Sequence, residues 1–168
     1  MSFGRRPVEA DPQQVALLAR ELVKLDPWSY WTVALEPGGG ASFAVLGVTG
    51  AFAVRACDLA GYLVAEGRHL TVDGERVGGW RELRSAAKAL RGRLLAAGAS
   101  GVEVTSLLVL TRAAAGAPRD HAHARVVRPE DVVGEITGRP RILDPGTAER
   151  LARSLGRVLE GPGRAVEG

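Results

Sequence analysis

The chain of 168 residues has a single cysteine, few aromatic side chains and no long apolar run. Because Cys57 stands alone, no intrachain disulfide can form, which fits a reducing compartment. No stretch approaches the roughly 20 apolar residues that a membrane-spanning helix requires. Residues 1–7 also lack the apolar segment of a signal peptide. We therefore expect a cytoplasmic protein with no membrane partner.

Composition and charge are those of an ordinary globular domain. Hydrophobic residues make up 46% and charged residues 24% of the chain, and the net charge is only +3. So small an excess of positive charge does not single out nucleic-acid binding. The length suits one domain with a substantial core. We expect a flexible leader at residues 1–10, a folded domain at 11–159 and a flexible tail at 160–168.

Hydrophobic periodicity predicts an α/β (α+β) domain with a central mixed β-sheet flanked by helices. The N-cap and N1 pairs Asp11-Pro12 and Asp144-Pro145 mark two helix starts. The continuous Val and Leu residues of 102–110 predict a central strand buried on both faces. The predicted helices are 12–25, 80–97, 129–136 and 145–159, and the predicted strands are 29–36, the 42–57 hairpin, 62–66, 102–110 and 122–127. A reversal is expected at 73–74 and a loop at 113–119.

The most informative stretch is 42–57, SFAVLGVTGAFAVRAC, which predicts two short strands joined by a tight turn at 47–50. Alternation places Ser42, Arg55 and Cys57 on one face of this hairpin and its large apolar side chains on the other. We expect one core to contain Phe43, Val45, Phe52, Val54, Leu90, Leu94, Leu107 and Val109.

This stretch resembles the nuclease-related domain (NERD) family, a branch of the PD-(D/E)XK nuclease-like proteins. That family typically reads Asp-His, three apolar residues, Gly-Pro-x-Gly, an apolar strand and Glu-x-Lys. Residues 42–57 follow the pattern without gaps, and the resemblance extends over roughly residues 12–158. It implies a restriction-endonuclease-like fold, and it places the family's Asp, Glu and Lys on Ser42, Arg55 and Cys57. These three are therefore vestigial active-site positions.

The substituted residues predict that no catalytic residue, metal or cofactor remains at this site. Mg²⁺ is held by anionic oxygens, whereas these positions offer a hydroxyl, a guanidinium and a thiol. An arginine such as Arg55 is permanently protonated and cannot act as a general base. The lysines of the chain, Lys24 and Lys88, fall on helices. The first helix carries Gln13-Gln14-Val15 where the family tends to place a Glu.

Two functions from different classes follow from the resemblance. The first is a non-catalytic module that binds a protein or a nucleic acid. The alternative is a divalent-metal-dependent DNA nuclease with a migrated site, in which Glu36, Asp58 or Glu66 would bind Mg²⁺. The sequence does not identify the partner, the pathway or the oligomeric state.

The long helix offers the candidate nucleic-acid contact. Arg84, Lys88 and Arg91 lie at i, i+4 and i+7 and so share one side of that helix. A solvated basic face is the alternative interpretation of the same pattern.

Two further sets of residues allow more than one interpretation. His121 and His123 share one face of a predicted strand, but they lack the third ligand of a metal site. The aromatic residues Trp28, Tyr30 and Trp31 either close one end of the core or form a stacking surface for bases.

Overall fold

The computed structural model describes residues 12–36, 40–57, 61–66, 69–72, 74–76, 80–114, 119–121 and 124–159. The expected leader at 1–10, the expected tail at 160–168, Asp58 and His123 lie outside these residues. None of the helices within the described ranges combines the length and the apolarity needed to cross a bilayer.

The described residues form a single α+β domain, which confirms the predicted class. Its helices are α1 (Pro12–Leu22), α2 (Trp80–Ala96), α3 (Val132–Thr137) and α4 (Pro145–Leu155). Its longer strands are β1 (Tyr30–Ala34), β2 (Phe43–Gly47), β3 (Gly50–Cys57), β4 (Gly61–Glu66), β5 (His69–Val72), β7 (Val104–Leu110) and β10 (Ala124–Val127). The short ones are β6 (Glu75–Arg76), β8 (Ala113–Ala114) and β9 (Arg119–His121).

The central sheet has six strands in the order β1-β2-β3-β7-β10-β9. Strands β1, β2 and β3 are successive antiparallel neighbours, while β7 runs parallel to both β3 and β10. Residues Leu107 and Leu108 of β7 are fully buried, on opposite faces of the sheet. The prediction of a central strand buried on both faces is therefore confirmed.

The strand β4 leaves this sheet. It belongs to a separate four-stranded sheet in the order β6-β5-β4-β8. There Gly61 and Tyr62 pair in parallel with Ala113 and Ala114, just as β3 pairs in parallel with β7. The strands that follow β3 and β7 in the chain, β4 and β8, are therefore also parallel neighbours, but in a second sheet. The consecutive strands expected over 29–66 do not all share one sheet.

The prediction of one core was wrong, because the central sheet has a core on each face. Six of the eight expected residues face α1 and α3, whereas Leu90 and Leu94 of α2 pack on the opposite face with α4. Alternation along β3 gives the reason: Phe52 points to one face, and its neighbours Ala51 and Ala53 point to the other.

Helix α4 ends at Leu155, four residues before the predicted end at 159. Gly156 leaves the helix with a φ of +154°, and the next residues pair with the edge strand β1. Leu159 N donates to Thr32 O at 2.7 Å, and Ala34 N donates to Arg157 O at 3.2 Å. This segment covers an edge that would otherwise expose unpaired backbone groups.

Other boundaries differ in smaller ways. Helix α1 ends at Leu22 instead of residue 25, and a 3₁₀ turn at Pro129–Asp131 precedes α3. The expected loop at 113–119 begins with β8 and ends with the first residue of β9. The predicted start of α4 is confirmed, because Asp144 Oδ1 accepts a hydrogen bond from Thr147 N at 2.9 Å.

Candidate functional site

One end of the β2–β3 hairpin carries Ser42, Arg55 and Cys57. Ser42 immediately precedes β2, and its backbone N donates to Val54 O at 2.8 Å, next to Arg55. Arg55 and Cys57 occupy alternate positions of β3, and Cys57 packs against the core under α2 and α4. The three residues therefore lie at the same end of the hairpin.

The Arg55 side chain is half-buried and anchored. Its Nη1 donates to Gly40 O at 2.9 Å, which ties β3 to the residues that lead into β2. Gly40 has a φ of +88°, and a Cβ there would collide with the carbonyl group of Glu82 in α2. The guanidinium therefore lies where the loop before β2 meets the first turn of α2.

The hairpin end carries the Ser42 hydroxyl, the Arg55 guanidinium and the Cys57 thiol. Within the described part of the chain, no three His, Cys, Asp or Glu side chains are grouped so that they could hold a metal ion. Glu36 is exposed after β1. Asp58 and the Glu66 side chain, two of the acids that a migrated site would use, are not among the described groups.

The basic face of α2, which we define as Arg84, Lys88 and Arg91, is exposed along its whole length. A neighbouring side of the helix, about a quarter turn away, is buried through Leu83, Leu90 and Leu94. No carboxylate of the described residues comes within ion-pair distance of this face. The three cations are therefore presented together to solvent.

Two other arginines on these helices have structural contacts. Arg93 Nη2 donates to Leu155 O at 2.5 Å, and Arg150 Nη1 donates to Ala97 O at 3.1 Å. Each of α2 and α4 thus supplies a cation to the carbonyl end of the other, where the helix dipole is negative. These arginines join the two helices and do not extend the basic face.

The aromatic residues near β1 do not form one surface. Trp31 is 4% exposed in the core under α2 and α4, whereas Tyr30 is 8% exposed in the core under α1 and α3. Trp28 is 68% exposed in the turn before β1. Tyr30 and Trp31 are therefore core residues on opposite faces, and with Trp28 exposed the three aromatic residues do not close one end of the core together.

A charged cluster that the sequence analysis did not predict joins β10 to α3. Arg125 Nε donates to both Glu135 carboxylate oxygens at 3.2 Å, and Arg125 Nη2 donates to Oε1 at 3.1 Å. The hydrogen bonds to Glu135 raise the pKa of the Arg125 guanidinium, and the charge of Asp120 adds to the effect. Arg139 Nε donates to Glu135 O at 3.2 Å.

The sequence contained only part of the signal for this cluster. Glu135 and Arg139 have the i, i+4 spacing of a helical ion pair. Arg125 joins them only because β10 lies beside α3 in the folded chain.

Comparisons of this chain with protein-family models, with curated proteins and with solved structures find no match. The resemblance of residues 12–158 to the nuclease-related domain family therefore stays a prediction, as do the site roles that it implies.

Proposed function

We propose that this protein is a non-catalytic interaction module with a nuclease-like architecture, which contacts nucleic-acid phosphates through the basic face of α2. The observation that carries the proposal is the exposure of Arg84, Lys88 and Arg91 without a neighbouring carboxylate among the described residues. Surface arginines and lysines that lack acidic partners are available to neutralise phosphates.

The spacing of the basic face suits a phosphate backbone. The seven residue steps from Arg84 to Arg91 rise by about 10 Å along the helix axis. One strand of B-DNA carries a phosphate about every 3.4 Å along the helix axis, so a length of about 10 Å spans about three phosphates. Glu82, the acidic residue of the first turn, lies on the other flank of α2 because of its position in the helical repeat.

The chemistry of the hairpin end supports a module without hydrolytic activity. The fixed positive charge of Arg55 repels a divalent cation, and its guanidinium already donates to Gly40 O. Neither the Ser42 hydroxyl nor a neutral Cys57 thiol replaces the anionic oxygens that Mg²⁺ requires. A cytoplasmic location is part of the same proposal, and the single cysteine supports it.

A binding assay with matched variants tests the nucleic-acid contact. Fluorescence anisotropy would follow a labelled DNA duplex at several salt concentrations with the wild type and with the variant Arg84→Gln/Lys88→Gln/Arg91→Gln. The control Arg20→Gln/Arg112→Gln/Arg141→Gln removes the same charge from exposed positions outside α2.

We expect the α2 variant to bind at least tenfold more weakly, with the slope of log K against log salt reduced by about 2–3, because each phosphate contact contributes about 0.9. The control should bind like the wild type. Equal losses in both variants, or no binding by the wild type at low salt, would contradict the proposal.

A second assay addresses the alternative of a migrated nuclease site. Plasmid DNA incubated with the purified wild type in Mg²⁺ or Mn²⁺ should stay intact. Metal-dependent cleavage that disappears in Glu36→Ala or Asp58→Ala would overturn the non-catalytic proposal and establish the migrated site.

A further inference from the structure

An open cleft lies beside α3, away from the hairpin end and from the basic face of α2. It encloses ≈ 380 Å³, and the described residues that line it are Asp120, Arg125, Gly134, Glu135, Gly138 and Arg139. The volume falls within the range of small-ligand sites. Because the lining is charged, the cleft suits a polar ligand.

Each arginine of the cleft has at least one terminal nitrogen outside its strongest internal contact. The Nε and Nη2 edge of Arg125 is occupied by Glu135, but its Nη1 lies 3.5 Å from an Asp120 side chain that is 84% exposed. Arg139 Nη2 is 4.0 Å from Glu135 Oε2, beyond hydrogen-bond distance. Within the described residues, the terminal nitrogens of Arg139 have no hydrogen-bond acceptor.

Both guanidinium groups are held in place before any ligand arrives. Arg139 is fixed through its Nε bond to Glu135 O, and its guanidinium carbon lies 5.6 Å from the centre of the Phe52 ring. Arg125 is fixed by the bidentate pair with Glu135, in which Nε donates to Oε2 and Nη2 donates to Oε1. Such rigid donors lose little conformational freedom when they bind an anion.

Gly134 gives a second, independent indication that this space is kept open. It lies inside α3, where glycine is less favourable than alanine, and its φ is not positive. A Cβ built on Gly134 meets no atom within 4 Å, so packing does not require glycine at this position. Because Gly134 lines the cleft, a methyl group there would add bulk to the cleft wall.

We infer that this cleft binds the phosphate group of a small phosphate monoester, with Arg125 and Arg139 as its donors. A carboxylate has two oxygens, which a single bidentate arginine can satisfy. A phosphate has three terminal oxygens, so it can accept from two arginines that share one neighbouring carboxylate. Its binding displaces the weakly held, exposed Asp120 carboxylate from Arg125 Nη1. This site is independent of the nucleic-acid contact proposed for α2.

A titration with two matched probes tests the inference. Phenyl phosphate and benzoate carry the same ring and differ in the anionic group. Each would be added at constant ionic strength while the amide signal of Gly138 is followed by ¹H–¹⁵N NMR. We expect a saturable shift with phenyl phosphate and at least tenfold weaker binding of benzoate.

Variants of the cleft and a matched glycine complete the test. Arg139→Gln should weaken phenyl phosphate binding at least tenfold, because it removes donors without breaking the Arg125–Glu135 pair. Gly134→Ala should also weaken it, because the added methyl group narrows the cleft. Gly92→Ala is the control, since Gly92 is also an exposed helical glycine with no atom within 4 Å of an added Cβ.

Both glycine variants should melt at a higher temperature than the wild type, because alanine favours the helix. Loss of binding in Gly134→Ala alone therefore cannot come from unfolding. The inference is overturned if phenyl phosphate gives no saturable shift, if benzoate binds as tightly, or if Gly134→Ala binds like the wild type.

Discussion

The two faces of the central sheet are packed by different kinds of side chain. The face under α1 and α3 is filled by Tyr30, Phe43 and Phe52 together with branched aliphatic residues. The face under α2 and α4 is rich in alanine, both on the strands and on the helices: Ala44, Ala51, Ala53, Ala86, Ala87, Ala148 and Ala152. One alternating strand such as β3 contributes to both.

The two faces are equally well buried, although they are filled by side chains of different size. Small side chains on the strands and on the helices fill much of the α2/α4 face, whereas larger side chains fill the α1/α3 face. The α1/α3 face also contains a buried polar link, in which Thr49 Oγ1 donates to Ile136 O at 2.6 Å and lies 3.3 Å from the Tyr30 hydroxyl. The two faces should therefore respond to opposite kinds of mutation.

The largest expected effect on stability comes from removing a large side chain from the α1/α3 face of the sheet. Phe52 is 1% exposed, so Phe52→Ala should lower the free energy of unfolding by about 3–5 kcal/mol through lost burial and the cavity left behind. Denaturant unfolding measures this change. Phe52→Leu, which keeps most of the volume, should cost clearly less, and a loss below about 1 kcal/mol in Phe52→Ala would contradict its burial.

The stability of the α2/α4 face, which is rich in alanine, should instead be sensitive to added side-chain volume. Ala53 is fully buried between β2 and β7, so Ala53→Leu should destabilise the fold by about 1–3 kcal/mol through overpacking. The control Ala96→Leu adds the same atoms at an exposed position of α2 and should change stability by less than about 0.5 kcal/mol. A neutral Ala53→Leu would mean that this face is loosely packed.

A smaller loss of stability is expected when the buried polar link of the α1/α3 face is removed. Thr49→Val keeps the side-chain shape but removes the donor to Ile136 O near the end of α3. The free energy of unfolding should fall on the order of 1 kcal/mol. Thr49→Ser retains the hydroxyl and serves as the control, so its free energy of unfolding should fall clearly less. A Thr49→Val variant as stable as the wild type would show that this hydrogen bond does not contribute.

The smallest expected effect concerns the N-cap of α4 and depends on pH. Hydrogen bonds from the Thr147 side chain and backbone lower the pKa of Asp144. The ionised carboxylate therefore stabilises the fold above the unfolded pKa of about 3.9, and this contribution is lost as the pH falls through the lower folded value.

Asp144→Ala should accordingly lower the melting temperature at neutral pH, and its difference from the wild type should narrow below about pH 4. Asp144→Asn keeps a capping oxygen without the charge, so its stability should lack this pH dependence. A difference between the wild type and Asp144→Ala that stays constant down to low pH would show that the charge does not contribute.

Local patterns sufficed for much of the fold and for the hairpin end of the site. The two-residue period of β2 and β3 determined that Arg55 and Cys57 share a face, and the helical spacing of α2 determined that Arg84, Lys88 and Arg91 stand together on its exposed side. The Asp144-Pro145 signal located the start of α4. Each of these follows from neighbours within a few residues along the chain.

The other features depend on contacts between residues far apart in sequence. Alternation tells which side chains share a face, but it does not tell which helix covers that face, so the sequence could not separate Leu90 and Leu94 from Phe52. The early end of α4 depends on the hydrogen bonds that Arg157 and Leu159 make with β1. The cleft depends on Arg125 meeting Glu135 and Arg139, which only the packing of β10 beside α3 brings about.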